Sequence, residues 1–239
     1  MMLNFSKRCE DPESMDNPNL DASMLQEVLK DLSTVNRLLS GNKITIKAIK
    51  TLMQKYPKDH YVIVDMGCGD GKMLRDIAKY FSNKKITLTL KGVDLSEKGI
   101  EIARKLSEEY SNISYSCQDI LKLDSKDFPC DILLCTLTMH HFKNPQIPIF
   151  LNQFLKLAKI GVVINDLQRS KLAYYLFKLF SAIFIKTKIA KEDGLISIKS
   201  GFIKSDLQDF ANNLPDTTNI IKWKWAFRYL WVILRTKSI

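Results

Sequence analysis

Three glycines fall within five positions, at Gly67, Gly69 and Gly71, directly behind the apolar run Tyr61-Val62-Ile63-Val64. The whole chain of 239 residues has only nine glycines, so this density restricts what the segment can be. An apolar run that meets turn residues and then a helical pattern is a strand-to-helix junction. Glycine at such a junction serves either a tight chain reversal or the close approach of a backbone to a ligand. The two readings predict different residues further along.

The surrounding pattern fixes the fold class. Residues 1 to about 20 are polar and carry Pro12 and Pro18, the pattern of an irregular arm. From Asp21 to about Tyr56, positions such as Leu25, Val28, Leu29, Leu32 and Val35 recur at helical spacing. Asp21 is the expected N-cap, Gly41 divides the run into two helices, and Pro57 closes it. Strands are then expected at 61–65, 86–93, 113–117, 131–136 and 161–165, alternating with helices at about 71–81, 96–110 and 145–158. Repeated β-then-α units with apolar strands specify a parallel sheet covered on both faces. Two closely spaced runs, 220–225 and 229–234, are expected to end the chain as an antiparallel edge pair. The expectation is a doubly wound α/β fold: a mostly parallel, seven-stranded sheet with an antiparallel last strand. Residues 1–57 would form an arm and helical cap, and residues 58–239 the main domain, with a helical insertion at about 170–200.

Composition narrows the classes of function. A hydrophobic content of 46% with 26% charged residues is that of a globular chain with a full core. The net charge of +10 invites a nucleic-acid reading, but it comes from dispersed lysines with no arginine-dense block. It reads as a solvated surface, and no nucleic acid is expected as a partner. Cys9, Cys68, Cys117, Cys130 and Cys135 form no C-x-x-C pair and the histidines supply no zinc spacing, so no metal is expected. Scattered free thiols and an N-terminus without a leader pattern point to a reducing cytoplasm. The longest apolar stretch, residues 172–185, is too short to span a bilayer.

The glycines can now be weighed. A nicotinamide-binding turn would place its third glycine at position 72, where this chain has Lys72, and no Gly-Lys-Ser/Thr of a phosphate loop follows. Asp65, ahead of the turn, would repel a pyrophosphate and welcome a cation. Asp-x-Gly-x-Gly-x-Gly after a first strand resembles the first motif of class I S-adenosylmethionine-dependent methyltransferases, whose cofactor carries a sulfonium. The resemblance continues in order. It implies that Asp94 in "KGVDLS" takes the ribose hydroxyls with Leu95 beside the adenine, and that Asp119 takes the adenine amino group with Ile120 as its apolar neighbour. With Gly67, Cys68, Gly69, Gly71 and Thr136 these make up the expected cofactor site, S-adenosylhomocysteine being the product. The glycines are then there to let a backbone approach the cofactor.

The acceptor leaves fewer marks. The end of the fourth strand reads Thr136-Leu137-Thr138-Met139-His140-His141, not the Asn-Pro-Pro-aromatic run of base-amino methylases, and Pro129-Cys130 precedes the strand, not follows it. His140 and His141 stand where a base could reach an acceptor, and Asp166 borders the same region, with Arg169 as a candidate ion-pair partner. Arg169 and Tyr174 are candidate substrate contacts. The apolar segment "KLAYYLFKLFSAIFI" is expected to close an acceptor pocket together with Leu25 to Leu39, or to meet a membrane surface or a second subunit. "KEDGLISIKSGF" and "KWAFRYLWVIL" resemble a bacterial, quinone-methylase-like subgroup acting on small molecules. The expected function is methyl transfer to oxygen or carbon of a lipophilic, preferentially aromatic small molecule. The alternatives are a methyltransferase acting on RNA or protein, and a non-catalytic cofactor-binding partner subunit.

Overall fold

A computed structural model describes residues 4–123 and 128–236. Two helices, α1 (Ala22–Leu38) and α2 (Gly41–Lys55), precede the sheet. Asp21 caps α1 by accepting hydrogen bonds from the backbone N–H groups of Ser23 and Met24. Then follow β1 (His60–Met66), α3 (Lys72–Phe81), β2 (Thr87–Asp94), α4 (Glu97–Leu106), β3 (Ile113–Cys117) and β4 (Cys130–Thr136). The chain continues through α5 (Ile147–Leu157), β5 (Ala158–Leu167), α6 (Lys171–Phe184), α7 (Lys188–Ser200), α8 (Lys204–Asn212), β6 (Thr217–Lys224) and β7 (Arg228–Arg235).

The seven strands lie in the order β3-β2-β1-β4-β5-β7-β6. All pairings are parallel except those of β7, which runs antiparallel to both β5 and β6. The final hairpin is the expected antiparallel pair at one edge of the sheet, with β6 outermost and β7 between it and β5. The residues give the reason. β7 is buried along almost its whole length, whereas β6 alternates between half-buried and exposed positions, as a strand paired on one side only should.

One sheet face packs on α5 around Phe150, Phe154 and Trp231, and the other on α2 and α3 around Ile49, Leu74 and Ile77. A third, smaller apolar cluster joins Val28 of α1 to Ile185 and Ala190 around the α6–α7 connection. Asp31 of α1 clamps that connection, accepting from the backbone N–H of Lys186 (3.1 Å) and from the N–H and hydroxyl of Thr187 (both 2.8 Å). The cap over the sheet is thus built from both ends of the sequence.

The expected irregular arm has no long element, but it is tied down. Arg8 donates to the carbonyls of Ser200 (2.7 Å) and His140 (2.9 Å). Asp193 of α7 accepts from the backbone N–H groups of Ser14 and Met15, and Lys98 of α4 donates to the carbonyls of Pro18 and Leu20.

Candidate functional site

β1 and β4 are neighbours in space, while the chain between them goes to the far side of β1 through β2 and β3. In an open parallel sheet this reversal of direction opens a crevice beyond the strand ends. A cavity of about 1120 Å³ lies there, bordered by the glycine turn below and by Leu25, Leu29 and Leu32 of α1 and Ala173, Phe177 and Phe180 of α6 above.

The glycines divide by role. All three have positive φ, at 74°, 53° and 73°, a region that side chains disfavour. A Cβ on Gly67 would lie 2.3 Å from Thr138, and one on Gly71 would lie 2.0 Å from the Tyr115 hydroxyl. A Cβ on Gly69 would meet only Leu29, at 3.8 Å. Gly69 faces the cavity, Gly67 borders it with its side-chain position filled by Thr138, and Gly71 is not among the cavity's bordering residues. The missing side chain of Gly71 accommodates Tyr115.

At the glycine end the cavity is acidic. Asp65 is buried, and its Oδ1 has no hydrogen-bond partner. Burial, and secondarily the neighbouring charge of Asp94, pushes its carboxyl up to about 8. Asp94 is braced by the backbone, accepting from the N–H of Gly69 (2.8 Å) and of Ser96 (2.9 Å). Asp119 accepts from the Leu121 N–H at 3.0 Å. Leu95, Ile120, Cys68 and Thr136 also border the cavity, Leu95 being the most exposed at 72%. An unpartnered buried carboxylate costs free energy unless a cation meets it. The acidic end thus fits a ligand with a sulfonium, an ammonium and donor hydroxyls, the groups of the cofactor implied by the sequence motif.

The opposite end is built on the 3-10 turn Met139–His141 that follows β4. His140 is buried, its Nδ1 2.7 Å from Asp166 Oδ1 and its Nε2 3.5 Å from Glu13 Oε1. Burial alone would lower the His140 pKa, but the charge and hydrogen bond of Asp166, joined by Glu13, outweigh it and raise the group to about 10. The same pairing holds Asp166 and Glu13 below the ordinary carboxylate range, although burial pushes both the other way. His140 is therefore an imidazolium at neutral pH. His141 stacks on it with ring centroids 4.4 Å apart. Its Nδ1 lies 3.0 Å from Asp16 and its Nε2 lies 3.9 Å from Glu13. Glu13, His140 and His141 offer ligand atoms within 4.8 Å of one another, a grouping that could hold a metal ion; the His140 imidazolium offsets one of the two buried carboxylate charges.

Three expected site residues stand elsewhere than expected. Asp166 lies behind His140 and does not border the cavity. Its partner is His140, not Arg169. Arg169 is buried and bound to Asp206 (2.9 Å) and to the carbonyls of Phe5 and Gly201, so it ties the arm and α8 to the core. Tyr174 turns away from the cavity and packs edge-on against Phe5 and Tyr175. Neither of these two borders the cavity. Conversely, Glu13 and Arg228 border the cavity and were not singled out from the sequence. Glu13 lies in a polar arm with no local pattern to mark it, and Arg228 opens a strand as an ordinary surface arginine would.

Residues 63–161 match the family profile described as a methyltransferase domain. A curated relative, the ribosomal protein L11 methyltransferase of Dictyoglomus turgidum, is 31% identical over 99 residues, covering 41% of this chain and 31% of the relative. A second, from Ruminiclostridium cellulolyticum, is 26% identical over 156 residues, 64% of this chain and 40% of its own length. The chain spans about a third to two fifths of the curated relatives it matches. Among solved structures, the plantazolicin methyltransferase BpumL in complex with SAH superposes with a TM-score of 0.70 at 18% identity, covering 94% of this chain and 93% of that one. The magnesium protoporphyrin IX methyltransferase of Synechocystis PCC 6803 superposes with a TM-score of 0.57 at 15% identity, covering 82% and 84%.

Proposed function

We propose that this chain, whose residues 63–161 match a methyltransferase domain, is a class I S-adenosylmethionine-dependent methyltransferase that methylates an oxygen or carbon of a lipophilic, preferentially aromatic small molecule. The observation that carries the reading is the single cavity with an acidic end, a Glu13–His140–His141 end and an apolar roof from α1 and α6. Small-molecule sites are concave and mostly apolar with a few convergent polar groups.

The bound cofactor supplies an electrophilic methyl group on a sulfonium. Asp65 receives its cationic amino-acid end, Asp94 its ribose hydroxyls, and Asp119 with Leu95 and Ile120 its adenine. At the other end, Asp166 and Glu13 hold His140 charged and fixed, so His140 orients and is no base. His141 stands beside it, its Nδ1 3.0 Å from Asp16. His141 then takes the proton that leaves an acceptor hydroxyl. The roof excludes water and leaves methyl transfer a matter of alignment.

The acceptor end is also where this chain would meet its supply of a greasy substrate. The outer face of α6 carries exposed Leu172, Leu179 and Ile183 between exposed lysines, and we assign it to an anionic membrane surface.

A macromolecular acceptor is the second reading, favoured by the +10 charge and by the partial likeness to ribosomal-protein methyltransferases. One assay separates the two. Incubation with methyl-labelled cofactor and a panel of phenols, quinols and polyketide-like aromatics should label an organic-extractable product. Label recovered only in ribosomal protein or RNA would replace the small-molecule reading with the second.

A further inference from the structure

Arg228 opens β7 and is 2% exposed, yet it borders the cavity. Its Nη2 donates to Asn36 Oδ1 at 2.7 Å. Its Nε and Nη1 are buried without any hydrogen-bond partner. Asp166, the nearby carboxylate whose charge it feels, is already committed to His140 at 2.7 Å and to the backbone N–H of Leu167. Burial accordingly lowers the Arg228 pKa to about 10, with Asp166 offsetting only part of the effect. A guanidinium stays charged in proteins and presents its donors as a planar fork, so unpaired donors beside a cavity define a place for an anion.

The fold makes room for this cation. A Cβ on Gly41 would come within 2.8 Å of the guanidinium Cζ and Nη2. Gly41 begins a helix, where a residue other than glycine would ordinarily serve. Asn36 comes from the end of α1 and Gly41 from the start of α2, so the break between these helices is shaped around Arg228. The position is central: Asn165 of β5 donates to the Gly41 carbonyl (3.1 Å) and to the Thr45 hydroxyl (3.0 Å), which lies 3.4 Å from Thr136 Oγ1 at the end of β4.

We propose that Arg228 is the receptor for a carboxylate, or an equivalent oxyanion, on a molecule bound in the cavity. Two molecules can bring that group: the cofactor, through its amino-acid end, and the acceptor. The inference uses the methyltransferase reading only to name the probes.

The test uses calorimetry on the untagged full chain and its Arg228→Lys, Arg228→Met and Gly41→Ala variants. The probes are S-adenosylhomocysteine, methylthioadenosine, which lacks the amino-acid end, and benzoate added to the S-adenosylhomocysteine-saturated protein. If the cofactor supplies the group, Arg228→Met weakens S-adenosylhomocysteine about 10- to 100-fold, as loss of charge-assisted bonds should. Arg228→Lys then weakens it less, and methylthioadenosine is unaffected. If the acceptor supplies it, both nucleosides bind as before and the benzoate signal of the wild type disappears in Arg228→Met. Gly41→Ala, which displaces the guanidinium without touching a ligand, should reproduce the same selective loss should Arg228→Met fail to fold. A merely structural arginine would lower the melting temperature when replaced by Met, whereas removing an uncompensated buried cation raises it. Unchanged binding of all three probes in every folded variant overturns the proposal. Failure of the wild type to bind S-adenosylhomocysteine would instead overturn the methyltransferase reading.

Discussion

Gly69 in the turn and Asp65 near the end of β1 have separate tasks, and single substitutions separate them. Gly69→Val projects into open cavity, so it should leave a folded protein, destabilised by about 1–2 kcal/mol for its left-handed backbone, that no longer binds S-adenosylhomocysteine. Gly67→Val drives atoms into Thr138 and should fail in a thermal melt before binding can be measured. Equal loss of stability in the two variants would refute this division. Asp65 gives a pH signature. Its native carboxyl is pushed up to about 8 from the ordinary 3.8, so the free protein binds more protons than the unfolded chain between those values. Its stability therefore falls as pH rises from about 4 to about 8. A cationic ligand favours the ionised form, so S-adenosylhomocysteine affinity should rise over the upper part of the same window with release of a proton. Calorimetry in buffers of different ionisation heat reads that proton directly, and Asp65→Asn should abolish both trends.

Among the elements, the arm and the turn after β4 form one electrostatic unit although their residues are far apart in sequence. His140→Gln leaves Asp166 and Glu13 without their buried cation and should cost about 3–5 kcal/mol at neutral pH. The sign of the pH dependence is fixed by the raised pKa. Stability from a histidine raised to about 10 in the fold from an ordinary 6.5 is complete below the lower value and is lost as pH rises through the higher. The gap between wild type and His140→Gln in denaturant melts should thus narrow from pH 7 towards pH 10. A constant gap would mean packing alone. This unit also marks the limit of what the sequence discloses. The helical spacing from Leu25 to Val35 and the apolar strands are local patterns, and α1, α6 and the strand order around the glycine turn follow from them. So does the position of Asp94, because the distance from turn to strand end is set by one helix. Glu13 obeys no period, and only the folded arm brings it to His140. Arg169 misled because proximity in sequence to Asp166 suggested a pair, whereas Arg169 lies beyond the end of β5 and is bound to Asp206. The antiparallel end pair was legible as two adjacent runs, and the unbroken hydrophobic character of β7 accords with its having neighbours on both sides.

At the scale of the molecule, α6 ties the cavity to the outside. Its apolar residues are too many for one face, and the structure divides them. Phe177 and Phe180 turn to the cavity, while Leu172, Leu179 and Ile183 are 60%, 66% and 69% exposed. Leu176 and Trp225 border the cavity and are also exposed, so the apolar exterior runs into the cavity. No carboxylate occurs between Asp166 and Glu192, whereas Lys171, Lys178, Lys186 and Lys188 are all exposed. No helix among the described residues is long and apolar enough to cross a membrane. An apolar face framed by lysines matches an anionic interface, each lysine near the surface adding about 1 kcal/mol, and a lipophilic acceptor could then pass along α6 without crossing water. The full chain should cosediment with phosphatidylglycerol vesicles, weakly with phosphatidylcholine, and less as salt is raised. Replacing Leu172, Leu179 and Ile183 together by Glu should abolish binding without lowering the melting temperature, since none of the three is buried. Indifference to both vesicle types, combined with a dimer in solution that the triple variant dissociates, would assign the same face to a second subunit and sink the membrane reading.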